Sequence, residues 1–191
     1  MAVGVTEIVN AGLARIGVDR ITSFDNDASI VAQRCRDNYA IIRDAVLRSY
    51  PWNCAVRLAS LPANAVAPVH GYAYAYNLPV DCLRLLHVSG ELEDEVKYRV
   101  LGRQVQTDEP GPLPIIYIAR VEDVAQYDAL LVDALAARLA ATLAYDRTGS
   151  QAVARDKFDV YLRTMVEARR VDAQEGLPEP FTADDWLKAR I

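Results

Sequence analysis

The stretch Arg48-Ser49-Tyr50-Pro51-Trp52-Asn53-Cys54-Ala55-Val56-Arg57 marks a change of hydrophobic period, and that change constrains the fold more than any other feature. Before it, Val31, Ala32, Cys35, Tyr39, Ile42 and Val46 recur every three or four residues, the spacing of one helix face. The spacing predicts a helix over 28–49 of about six turns. Arg34, Arg36, Asp37, Arg43 and Asp44 fall mostly on its other faces. Pro51 cannot continue a regular helix and biases Tyr50 toward an extended conformation. After it, Cys54, Val56, Leu58 and Ser60 alternate with Ala55, Arg57, Ala59 and Leu61, the period of a strand.

The rest of the chain sorts into the same two patterns. Val5, Ile8, Val9, Gly12, Leu13 and Ile16 predict a first helix ending before Gly17, and Asn26 and Asp27 are N-cap candidates for the second. Beyond a Pro- and Ala-rich loop, strands are expected at 72–76, 83–88, 95–101, 104–107 and 115–120, with Gly102-Arg103 as a hairpin turn. Helical spacing returns over 122–146 and 150–174, with Thr148-Gly149 between them. The expectation is an α+β fold. It is a four-helix bundle built from 1–50 and 121–175, interrupted by a small antiparallel β insertion at 51–120, with an extended C-terminal tail at 176–191.

Composition narrows the function. The chain of 191 residues is 52% hydrophobic and 25% charged, which suits one globular domain with a sizeable core. No apolar run approaches the roughly 20 residues that span a bilayer. The N-terminus has no basic region followed by an apolar core. A soluble protein made in a cytoplasm, with no membrane partner, is expected. Cys35, Cys54 and Cys82 lack metal-ligand spacing and read as reduced, core-packed thiols. The net charge of −5 disfavours a groove that wraps nucleic acid. His70 and His87 have no carboxylate at a motif spacing, and the run Glu91-Leu92-Glu93-Asp94-Glu95 reads as a solvated turn. No catalytic residue, metal ligand or cofactor is assigned, and the chain is not expected to be an enzyme.

Four segments in order resemble one known family. They are the helix running into Arg48-Ser49-Tyr50-Pro51-Trp52-Asn53, and the strand-turn-strand segment Gly71-Tyr72-Ala73-Tyr74-Ala75-Tyr76-Asn77-Leu78-Pro79-Val80-Asp81-Cys82-Leu83-Arg84. Ile116-Tyr117-Ile118-Ala119-Arg120 with Asp123 and Tyr127 follows, and then the Ala-rich helix. In this the chain resembles the phage tail tubular protein A family, the head-to-tail adaptors of short-tailed phages and prophages. The resemblance covers roughly 5–175 and implies a structural virion protein in the neck or tail, assembled in the bacterial host cytoplasm. It implies a ring, usually of twelve copies, between the portal protein and the tail nozzle or tail tubular protein B. DNA would pass through the lumen without specific binding, and the ring would act during DNA ejection.

Particular residues carry the local expectations. Pro51 and Trp52 form a structural hinge, with Trp52 packed beneath the sheet. The mixed-sign surface of the last helix, with Arg155, Arg163, Arg170 and Tyr161, is expected at the subunit interface. Phe181, Trp186, Leu187 and Ile191 in the tail are expected to dock on the portal or a neighbouring subunit, Trp186 as the buried anchor. The alternative function is a nucleic-acid-binding accessory module that stacks bases on Tyr72, Tyr74 and Tyr76. The residues interleaved there are alanines rather than cations, which favours a packed or interfacial role for the tyrosines.

Overall fold

The computed structural model describes residues 4–89 and 96–175. Helices α1 (Val5–Ala14) and α2 (Ile30–Ser49) lead into strands β1 (Val56–Leu61), β2 (Tyr74–Asn77), β3 (Cys82–Val88), β4 (Tyr98–Leu101), β5 (Gln104–Thr107) and β6 (Leu113–Ala119). A short 3-10 turn (Val124–Gln126) precedes α3 (Ala129–Thr148) and α4 (Gln151–Asp172).

Side-chain caps set the helix starts. The Ser29 hydroxyl accepts from the Ala32 amide at 3.2 Å, so α2 begins after Ser29 rather than after Asp27. Asp27 organises the preceding loop instead, accepting from the Thr22 and Ser29 amides. Those bonds hold its carboxyl well below the usual carboxylate range. Asp128 caps α3 at the Leu130 amide. The helix expected over 122–146 therefore starts later, and Tyr127 lies before it with its hydroxyl donated to the Val121 carbonyl. Gly149, at φ 66°, closes α3 in the left-handed region that a Cβ disfavours.

The architecture is α+β, but the helices do not form a four-helix bundle. Helix α3 is the centre, and α1, α2 and α4 each pack against it. Its buried residues Leu131, Ala134, Leu135, Ala136, Ala137, Leu139, Ala140, Leu143 and Ala144 surround its whole circumference, the pattern of an internal helix. Helix α1 approaches it at Gly12, where a Cβ would lie 3.0 Å from the Ala136 carbonyl oxygen. Helix α2 divides its packing between α3 and the strands β3 and β6. A bundle needs four helices facing one shared core; here part of that core is a sheet.

The β insertion at 51–120 is antiparallel, but it is not one sheet. It forms two three-stranded antiparallel sheets, ordered β1-β6-β3 and β2-β5-β4. Strand β6 is central in the first sheet and contributes residues to two cores. Leu113, Ile115, Tyr117 and Ala119 join the core shared with Tyr76 and Val105 of the second sheet. Ile118 joins the helical core with Trp52 and Ala55. The molecule is thus layered as helices, first sheet and second sheet, each layer burying the face its neighbour presents.

Candidate functional site

The residues singled out in the sequence fall in three places, and the junction after α2 is the most constrained. Trp52 is 1% exposed, and its indole N–H donates to the Val46 carbonyl at 3.0 Å. Its ring meets Tyr50 edge-on at 5.1 Å between centroids. The next residue ties the turn to α4. The Asn53 amide donates to the Asp172 carboxylate at 3.2 Å, and its side-chain amide donates to the Asp172 carbonyl at 2.7 Å. The Tyr50 hydroxyl reaches the Arg169 carbonyl at 3.3 Å, and Arg169 lies over the Tyr50 ring while donating to Ser49. Burial raises the Asp172 carboxyl above its ordinary range, and the Asn53 amide partly opposes that shift. Tyr50-Pro51-Trp52-Asn53 therefore joins α2, the first sheet and the end of α4 in one packed knot.

The outer side of α4 is different. Leu162 and Val166, 47% and 69% exposed, leave apolar surface in solvent, and Phe158 one turn before them is 39% exposed with Arg138 of α3 over its ring at 5.0 Å. Arg155, Arg163 and Arg170 are also exposed. Among the described residues the only hydrogen bond from the Arg163 side chain goes to its own helix, at the Asp159 carbonyl. Tyr161 stands apart from these arginines. It is half-buried, with Arg138 of α3 over its ring at 5.2 Å, so it serves the α3–α4 contact. The tail residues Phe181, Trp186, Leu187 and Ile191 lie outside the described residues, as does the run Glu91–Glu95.

A second apolar surface lies on the first sheet, and the sequence pattern had not pointed to it. Leu58, Ala59, Pro114, Ile115 and Ile116, with Ser60 and Ser89, line an open groove of about 360 Å³. Leu58 is 80% exposed at the free edge strand β1. Alternation in β1 is visible in the sequence. Within β1 only Leu61 is buried, in the core between the two sheets, while Ala55 just before the strand joins the helical core.

The tyrosine strand does not present three rings to solvent. Tyr76 is fully buried with its hydroxyl on the Glu109 carbonyl at 2.7 Å, Tyr72 is half-buried beneath Arg99, and Tyr74 is exposed. Cys35 and Cys82 are buried and Cys54 half-buried. Burial pushes the Cys35 and Cys54 thiols up to about 11 and raises Cys82, so none is a ready thiolate at neutral pH. His70 and His87 are exposed. Among the described residues no group of three His, Cys, Asp or Glu could hold a metal ion, and no helix is long and apolar enough to cross a membrane. Compared with protein-family models and with curated proteins, the chain matches none significantly.

Proposed function

We propose that this chain is a structural subunit that assembles with copies of itself into a closed ring, acting as a head-to-tail adaptor between a portal and a tail nozzle. The observation that supports it is a pair of unlike apolar surfaces on separate elements: the Phe158, Leu162 and Val166 stripe of α4 and the Leu58 groove of the first sheet. A ring is closed by heterologous contacts, which require two different patches on each subunit. A twofold dimer needs only one self-complementary patch. Exposed apolar surface of this kind marks sites of protein association. The knot at Tyr50–Asn53 fixes sheet and helices relative to each other, so the angle between the two patches is set, as ring closure demands. Arg155, Arg163 and Arg170 beside the α4 stripe would set register more than affinity. The sequence resemblance to the tail tubular protein A family adds the portal, the nozzle and passing DNA as partners, and a place in the virion neck.

The test is imaging the full-length chain by electron microscopy, alone at high concentration and mixed with its cognate portal. Rings, or a ring of added density on the portal, are expected. Monomers alone together with bare portals would remove the proposal.

A further inference from the structure

Among the described residues, one cavity is lined by three arginines and by no carboxylate. Arg48 from the last turn of α2, Arg84 from β3 and Arg103 from the β4–β5 turn line a pocket of about 320 Å³, at the lower end of the ~300–1,000 Å³ usual for ligand clefts. Its remaining lining is Leu78, Cys82, Leu83, Leu85, Val100 and Gly102. Two of the guanidiniums are anchored by backbone carbonyls. Arg48 donates to Leu83, and Arg103 donates to Pro79, Val80 and Cys82. A guanidinium carries five donors, so each keeps donors to spare while its place is fixed. The Arg84 side chain has no partner among the described residues, and none of the three forms an ion pair there. The nearby Asp81 carboxylate faces the Tyr117 hydroxyl and lines a different cavity.

We propose that Arg48, Arg84 and Arg103 form a docking socket for an acidic, leucine-bearing peptide segment of a partner protein. Three guanidiniums in one pocket select carboxylates, which accept their paired N–H groups in fork geometry. The floor of Leu78, Leu83, Leu85 and Val100 selects apolar side chains between those carboxylates. Nucleic acid fits the lining less well. No aromatic ring lines the pocket for a base to stack on, the cations form one cluster rather than a track, and the chain as a whole is at −5. The socket shares no residue with the α4 stripe or the Leu58 groove, so it is independent of the ring proposal, whose test reads assembly and not peptide binding.

The probe is a fluorescein-labelled peptide alternating glutamate and leucine, titrated into the full-length protein by fluorescence anisotropy. Its lysine–leucine counterpart and a single-stranded oligonucleotide serve as comparisons. The acidic peptide alone is expected to bind, more weakly as salt is raised. Arg84→Glu should weaken it by about tenfold or more, the scale of one charged hydrogen bond, with an unchanged melting temperature. Arg84→Lys should lose less. Absence of peptide binding overturns the socket, and so does an Arg84→Glu protein that binds as the wild type does. Tighter binding of the oligonucleotide, weakened by the same substitution, also overturns it and assigns the arginines to phosphate.

Discussion

Helices α3 and α4 are neighbours of similar length, and they do opposite things. In α3 nine residues are buried around the full circumference; in α4 only Met165, Ala168 and Asp172 are buried, while Leu162 and Val166 face solvent. Apart from Tyr145 near its end, 52% exposed, the large apolar residues of α3 are explained by the chain's own core. Those in α4 are not, and that contrast directs attention to a partner. The two helices also differ in how they are held. Helix α3 is fixed by packing on every side, whereas the end of α4 is fixed by polar bonds from Asp172 and Arg169 to the Tyr50–Asn53 turn.

Substitutions can break this comparison, beginning at the knot that both sides depend on. Trp52→Ala removes a buried ring and its bond to Val46, and should cost about 3–5 kcal/mol in chemical denaturation. A change within error would mean that Trp52 is not a core anchor. A matched pair then probes the helices directly. Leu139→Ala in α3, where Leu139 is buried against Gly12 of α1, should cost about 2–5 kcal/mol. Leu162→Ala in α4 should stay within about 0.5 kcal/mol for the isolated chain. Equal losses would erase the distinction between the helices.

The polar end of α4 gives a smaller, pH-dependent effect. Asp172→Ala leaves the Asn53 amide without its acceptor and should cost about 1–3 kcal/mol, while Asp172→Asn keeps a carbonyl there and should cost less. Because burial raises the Asp172 carboxyl above its ordinary 3.8, the folded chain binds that proton more tightly than the unfolded chain. Ionisation of this carboxyl therefore costs stability at neutral pH, and that cost disappears as pH falls through the raised value toward 3.8, while its bond from Asn53 still stabilises the fold. Melting curves against pH should show a contribution that rises on acidification in the wild type and is missing in Asp172→Asn. Identical pH profiles would remove Asp172 as the cause. The smallest effect on folding is expected from reversing Arg163 and Arg170 to Glu. The circular-dichroism spectrum should stay intact while ring closure is impaired, and normal rings from that protein would show these arginines to be solvated charges only.

Much of this was legible in the sequence, and the remainder has identifiable causes. Periodicity located the four helices of the described residues, the Gly102-Arg103 hairpin and the strand after Pro51, because each depends on neighbours within a few residues. Periodicity does not say which helix lies inside. The signal for α3 is its lack of a clean polar stripe, since alanines and leucines fall on every side of it, and four helical segments alone suggest the bundle that the structure corrects. The division into two sheets was equally hidden. Strand β6 pairs with β1 and β3, which come far earlier in the chain, and its odd residues serve one core while Ile118 serves the other. For the candidate site, the exposure of Arg155, Arg163 and Arg170 follows from helix spacing, whereas the stacking of Tyr161 against Arg138 needs α3 beside it. The Arg48, Arg84 and Arg103 socket is assembled by topology alone.

The central claim is that the apolar stripe of α4 is an intersubunit surface rather than a solvent face. Sedimentation velocity across a wide concentration range, with and without the cognate portal, tests it most directly when the wild type is run beside Leu162→Glu/Val166→Glu. The wild type should form a large closed species in at least one of those conditions. The variant should remain a monomer in both, with an unchanged melting temperature. A variant that assembles like the wild type, or a wild type that stays monomeric throughout, would contradict the claim.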